Sequence, residues 1–193
     1  MGLRENDWMS ADDFLLWEGE QELRYELVDG APMMMVGGTA GHDMIIMNAS
    51  AYLHGKLRGT RCRVHSAGMK LRCPNDNIRY PDITLACGRV EPSDILSSDP
   101  RVVFEVLSPS TKSIDFLIKL RDYKTIPTLS AYVILWQNEP RALVHRRSDL
   151  GWTEEEVTGL DGVIALPEVE VTLPLAETYD GLPPPKPRAR SRK

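Results

Sequence analysis

The chain has 193 residues, 42% of them apolar and 26% charged, and a net charge of −5. That length suits one domain with a full core, and the composition excludes a wholly disordered chain. The negative charge argues against a protein that coats nucleic acid through bulk charge, while leaving room for an enzyme whose bound cation supplies positive charge locally.

No apolar run reaches the roughly 20 residues that span a bilayer, and "MGLRENDWMS" has no apolar signal-peptide core. A cytoplasmic protein without membrane attachment is expected. In "MSADDFLLWEGEQE", Ser10 is an N-cap with Asp13 three residues on, and Phe14, Leu15 and Trp17 follow with helical character. A first helix is predicted over about 11–22. "RYELVDGAPMMMV" reads as two strands joined at Asp29-Gly30, a hairpin turn signal. Met33, Met34 and Met35 read as core packing or a subunit contact.

Ile45, Ile46, Ala49, Leu53 and Leu57 then recur at helical spacing, and Gly59 ends the run. "RCRVHSAGMKLRC" gives two short alternating strands around Ala67-Gly68, with Arg61, Arg63 and His65 on one face. "YPDITLA" and "RVVFEVLS" read as central strands separated by a polar, turn-rich loop. "TKSIDFLIKLRDY" predicts a helix capped by Ser108 or Ser110, and "AYVILW" another buried strand. "RALVHRR", "GWTEEEV" and "EVEVTL" read as alternating strands with one wet face. The tail "LPPPKPRARSRK" is Pro-rich and then basic, and cannot bury a core. One domain over 1–182 and a disordered tail over 183–193 are therefore expected, with an α/β (α+β) fold whose mixed sheet is flanked by helices. Cys62, Cys73 and Cys87 are odd in number and form no C-x-x-C pair, which predicts buried, reduced thiols.

Two acids stand out. Asp82 follows Pro81 at a strand start, and Glu105 lies inside the next strand-like run. Burying an ionised carboxylate without a partner costs several kcal/mol. If the two strands pair, the carboxylates converge and repel unless a cation sits between them. Oxygen ligands of this kind suit Mg²⁺ or Mn²⁺. On the following helix, Asp115, Lys119 and Tyr123 share one stripe among apolar neighbours. Lys119 there either pairs with Asp115, extends to solvent, or reaches into the carboxylate site.

"RYELVDG", "GHDMI", "YPDITL", "FEVLSPST" and the spaced Asp115, Lys119 and Tyr123 resemble the Uma-type endonuclease family. This family belongs to the PD-(D/E)XK restriction-endonuclease-like superfamily, and the resemblance runs over nearly the whole chain. It implies a restriction-endonuclease-like core and an endonuclease that hydrolyses DNA phosphodiesters with Mg²⁺ or Mn²⁺. It implies Asp82, Glu105 and the main-chain carbonyl of Val106 as metal ligands, and Lys119 as the group that orients or deprotonates the attacking water. Glu26 matches a further acid that could hold a metal-bound water. His42 and Asp115 match family positions, and Lys112, in the first turn after "SPST", is a candidate contact to the nucleic-acid backbone. The superfamily carries Glu-x-Lys on the second strand, but Leu107 stands where that lysine is usual; the resemblance implies that a helix lysine takes the role, and Lys119 matches it. A homodimer is expected, since two-fold related sites can cut both strands. Two competing readings are a binding or oligomeric module that has lost turnover, and a metal-dependent hydrolase of small phosphoesters.

Overall fold

The computed structural model describes residues 8–107 and 113–183, the side chains of 113–115 excepted. Ser108, Ser110, Lys112, the side chain of Asp115 and the tail from 184 onward lie outside the described residues.

Helix α1 spans Ala11–Glu18 and starts as the sequence predicts, with the Ser10 hydroxyl accepting from the Asp13 N–H at 3.1 Å. It stops about a turn earlier than the predicted end, at Gly19. Strands β1 (Tyr25–Val28) and β2 (Ala31–Met34) form the expected antiparallel hairpin. Asp29 and Gly30 both have positive φ, 48° and 81°, which is what a two-residue turn matched to strand twist requires. With β4 (Leu71–Arg72) and β5 (Ile78–Arg79) they make a small sheet in the order β2-β1-β5-β4. Ala11 and Phe14 of α1 pack on Leu27 and Ile78 of that sheet.

The main sheet has six strands in the order β10-β9-β8-β7-β6-β3. These are β3 (Arg63–Ser66), β6 (Ile83–Ala86), β7 (Pro100–Leu107), β8 (Ala131–Trp136), β9 (Arg141–Ser148) and β10 (Gly151–Thr158). Only β7 and β8 run parallel, and the crossover between them contains α3 (Ser113–Thr125). Helix α2 (Ala40–Leu57) covers the other face. The strands "around Ala67-Gly68" do not pair with each other: β3 joins the large sheet and β4 the small one.

Period-two alternation along β7 sets the two cores apart. Val102, Phe104 and Val106 join Ile45, Ala49 and Leu53 of α2. Val103 points the other way, toward Leu120, Tyr123 and Ile126 of α3. Each such fully buried side chain contributes roughly 1.5–3 kcal/mol. Glu105 therefore shares the α3 face with Val103. A hairpin of β11 (Val163–Leu166) and β12 (Val171–Pro174), followed by the single turn α4 (Leu175–Thr178), closes the α2 side through Ile164, Leu173 and Leu175.

The cysteine expectation is corrected. Arg63 pairs with Ala86 across β3 and β6, so Cys62 and Cys87 stand opposite each other, and they form a disulfide. Cys73 alone is free; burial pushes its thiol up to about 12. Spacing along the chain carries no trace of a partner chosen by antiparallel register.

Candidate active site

The site forms where the chain passes from the small sheet to the large one. Only Tyr80, Pro81 and Asp82 separate β5 from β6. Pro81 has no N–H to leave unpaired at that crossing. Because Ile83 pairs with Phe104, Asp82 lies beside Glu105 at the end of the β6–β7 ladder. Asp82 Oδ2 accepts from the Val106 N–H at 2.7 Å and lies 3.3 Å from His42 Nε2. His42 is brought there by α2, whose start is capped by the Thr39 hydroxyl.

Glu105 is only 5% exposed and both of its oxygens are taken from α3. Lys119 Nζ donates to Oε2 at 2.9 Å, and the Tyr123 hydroxyl donates to Oε1 at 2.6 Å. Lys119 and Tyr123 are four apart on the helix, so both face one strand position. Lys119 thus reaches the carboxylates rather than solvent. Glu26 Oε1 lies 3.9 Å from Lys119 Nζ, and this acid is otherwise held by the Tyr80 N–H at 3.0 Å and by Arg79 Nη1 at 2.9 Å. Asp82, Glu105, Lys119, Glu26 and His42 are therefore gathered at one place. Val106 contributes its N–H there while its side chain packs in the α2 core.

Two residues of this network carry no catalytic or metal-holding role in the sequence reading, although Arg79, like Arg24, is there a candidate ion-pair partner for Glu26, and the structure pairs Glu26 with Arg79. Arg79, 1% exposed, also donates through Nε and Nη2 to Asp122 Oδ2 at 2.8 and 2.5 Å. Asp122, fully buried, is further held by Asn75 Nδ2 at 2.7 Å. Tyr123 is visible in the helical stripe, but its partner is not. Arg79 stands three residues before Asp82 in "RYPD", a signal of proximity but not of role.

The electrostatics follow from crowding. Burial pushes the Glu105 carboxyl up to about 7; Asp82 and Glu26 add to that and Lys119 opposes it. Burial works against the Lys119 ammonium, but Glu105 and Glu26 outweigh it and hold its pKa above the usual lysine value. The bond to Asp82 raises the His42 pKa against the effect of burial. Burial alone would raise Asp122, but the Arg79 charge and hydrogen bonds hold it below the usual carboxylate range.

A cavity of about 430 Å³ opens over these groups, walled on its apolar side by Met33, Met35, Val36 and Phe116. Met33 and Met34 are each 55% exposed and belong to no core; they line the cavity, which corrects the core-packing expectation but not its alternative, a subunit contact. Arg61, Arg63, Lys70 and Arg72 do not line it. Lys70 is buried against Glu18 at 3.1 Å, and Arg72 is tied to Asp12 and Asp76. Among the described residues, no three His, Cys, Asp or Glu side chains converge as a ready-made metal cage. No described helix is long and apolar enough to cross a membrane.

The profile of the Uma2 family, described as "Putative restriction endonuclease", matches residues 11–176. The uncharacterised protein slr1290 of Synechocystis sp. is 31% identical over 150 residues, covering 75% of this chain and 77% of that protein. A second uncharacterised Synechocystis protein, sll1609, is 24% identical over 156 residues, covering 78% and 88%. The fold is similar to a crystal structure from Anabaena variabilis titled "a putative nuclease belonging to DUF820". The TM-score is 0.72 at 18% identity, covering 89% of this chain and 97% of that one.

Proposed function

The chain belongs to the Uma2 family, and from that premise we propose that it is a Mg²⁺- or Mn²⁺-dependent endonuclease hydrolysing phosphodiester bonds in DNA. The observation that carries the reading is the convergence of Asp82, Glu105 and a helix-borne Lys119 at the floor of one cavity.

The residues present fit a hard divalent cation. The donors are carboxylate oxygens, and burial first, then the neighbouring Asp82 and Glu26, push the Glu105 pKa up against the pull of Lys119. Mg²⁺ is commonly held by one or two carboxylates together with substrate phosphates and waters, so a closed protein cage is not required. Asp82, Glu105 and the Val106 carbonyl would hold the ion; in a strand, a residue's N–H and C=O face the same edge, and the Val106 N–H faces Asp82. When bound, the cation supplies Lewis acidity at the phosphoryl oxygen and lowers the pKa of water.

The chain's own groups do the rest. Lys119 orients the attacking water and places positive charge beside the phosphoryl oxygens as their charge grows. Tyr123 holds Glu105 in place through Oε1, while the Val106 N–H fixes Asp82 through Oδ2. His42, bonded to that same oxygen, lines the cavity and is positioned to donate to a bound phosphate. Glu26 balances the Lys119 charge from its other side. Lys112 and Asp115 are proposed contacts to the nucleic-acid backbone. The protein acts as a cytoplasmic homodimer with two sites related by a two-fold axis; sedimentation at the monomer mass would refute the dimer.

The test is a titration of Mg²⁺ and Mn²⁺ into wild type, Asp82→Ala, Glu105→Ala and Lys119→Ala, with supercoiled plasmid and single-stranded DNA as substrates. Metal-dependent cleavage by wild type that is lost in all three variants is expected. Cleavage surviving in Lys119→Ala would refute the lysine's role. A second reading, hydrolysis of a small phosphoester, is favoured by one observation. Arg79 and Lys119 are the only Lys or Arg side chains among the described residues lining the cavity, and both are already paired. Turnover of an aryl phosphodiester with intact plasmid would support it.

A further inference from the structure

Resting on the nuclease reading, we propose that Arg79 and Asp122 are positioning residues for the helix-borne lysine: they hold Glu26 off Lys119, so that the ammonium stays on Glu105.

The need for such a device follows from the chain's departure from Glu-x-Lys. A lysine at position 107 would be aligned with Glu105 by the strand itself. Leu107 occupies that position, and the only lysine bonded to Glu105 among the described residues comes from α3. Its alignment depends on where α3 sits and on which acid wins the ammonium. Two acids compete. Glu105 Oε2 is 2.9 Å from Lys119 Nζ and Glu26 Oε1 is 3.9 Å away. The second distance is within ion-pair range but beyond a hydrogen bond. A lysine head is a compact charge on a flexible stem, and does not choose by shape.

Arg79 settles the competition. Its Nη1 holds Glu26 Oε2 at 2.9 Å, and the Tyr80 N–H holds Oε1 at 3.0 Å, so both Glu26 oxygens are restrained by donors other than Lys119. The rest of the guanidinium fork grips Asp122 Oδ2 through Nε and Nη2. Asp122 follows Lys119 by three residues on α3, one turn along the helix. Arg79 itself lies on β5, three residues before Asp82. One rigid, planar cation therefore ties together the elements that supply Glu26, Lys119 and Asp82. Asp122 is kept from drifting by Asn75 at 2.7 Å and by Arg121 Nε at 3.1 Å.

Stability alone does not account for this arrangement. Removing one partner of a buried ion pair is damaging, but replacing the whole pair with apolar groups of similar volume is often neutral or stabilising. That difference supplies the test.

The double variant Arg79→Met/Asp122→Leu removes both members of the Arg79–Asp122 pair and leaves Glu26 with the Tyr80 N–H and Lys119 as its partners. Three properties are to be measured: the melting temperature, kcat and KM for plasmid cleavage, and the through-hydrogen-bond NMR correlation between Lys119 Nζ and a glutamate Cδ. A melting temperature near that of wild type, an unchanged KM and a kcat lowered by about tenfold or more are expected, since small displacements of catalytic groups cost up to about a hundredfold. The correlation is expected to move from Glu105 Cδ to Glu26 Cδ. An unchanged Lys119–Glu105 correlation overturns the inference whatever happens to kcat. A switched partner with kcat within about twofold of wild type overturns it too. If the double variant does not fold, the isosteric Asp122→Asn carries the same readouts. Wild type that cleaves nothing refutes the nuclease reading, and the NMR correlation still decides whether Arg79 and Asp122 assign the lysine's partner.

Discussion

Replacing Glu105 by glutamine separates what this carboxylate costs the fold from what it gives the site. Glu105 is 5% exposed, and its carboxyl is pushed from the ordinary 4.5 up to about 7 by burial, then by Asp82 and Glu26, against the pull of Lys119. A folded-state pKa above the unfolded one means that the folded chain binds the proton more tightly. The associated stability is fully present below about pH 4.5 and is lost as pH rises through about 7. At about 1.4 kcal/mol per pH unit, the ionised carboxylate costs about 3 kcal/mol at pH 8. Glutamine never ionises. Its carbonyl can accept from Lys119 while its amide N–H donates to the Tyr123 hydroxyl. In chelator, the stability of Glu105→Gln relative to wild type is therefore expected to rise by about 2–3 kcal/mol between pH 5 and pH 8, on top of a loss from leaving the Lys119 ammonium without its carboxylate partner. Urea unfolding at pH 5, 6, 7 and 8 measures it. A gap that is flat with pH refutes the electrostatic reasoning. Adding Mn²⁺ shifts the balance toward wild type, because a ligand at 100 times its Kd stabilises the protein that binds it by about 2.7 kcal/mol and the variant should gain nothing.

Tyr123→Phe removes the 2.6 Å donor to Glu105 Oε1. It should cost about 1.5–3 kcal/mol at pH 8 and less at pH 5, where the carboxyl is protonated; equal losses at both pH values in urea would contradict the assignment. The Cys62–Cys87 bridge spans a sequence separation of 25, and closing a loop of that size in the unfolded chain is worth about 3 kcal/mol. Reductant should therefore lower the melting temperature of wild type but leave Cys62→Ser/Cys87→Ser unmoved. An unchanged wild-type melting temperature would mean that the thiols do not pair in solution.

Local signals were legible wherever the physics is local. The Ser10 cap, the Asp29-Gly30 turn, the apolar spacing of α2 and the short central strands each depend on a few neighbouring residues, and each lies where the sequence puts it. The convergence of Asp82 with Glu105 was also within reach, because two consecutive strands tend to pair. What the sequence withheld is non-local. The Cys62–Cys87 bond follows from the register of β3 on β6. The separation of β3 from β4 into two sheets follows from which partner each finds, and no property of "RCRVHSAGMKLRC" decides that. Met33 and Met34 carry a core-like composition but lie on the edge strand β2, where they line the cavity and stay exposed.

Asp122 shows the limit most clearly. In "KLRDYK" it reads as one more surface acid on a charged helix, with arginine and lysine at hand to solvate it. In the fold it is fully buried, because α3 turns Lys119, Asp122 and Tyr123 together onto the sheet. Three polar side chains on an inward face would be a defect in a helix whose task was packing. Each meets a partner of opposite character: Lys119 on Glu105, Asp122 on Arg79, Tyr123 on Glu105. A helix supplies such a set only when its rotation about its own axis is fixed, since a turn by one residue moves every side chain by about 100°. The Arg79–Asp122 grip fixes that rotation one turn from Lys119. On the role proposed for Lys119, Leu107 and the buried Asp122 belong to one arrangement: a lysine presented from a helix needs that helix anchored against the sheet, and the Arg79–Asp122 pair is such an anchor.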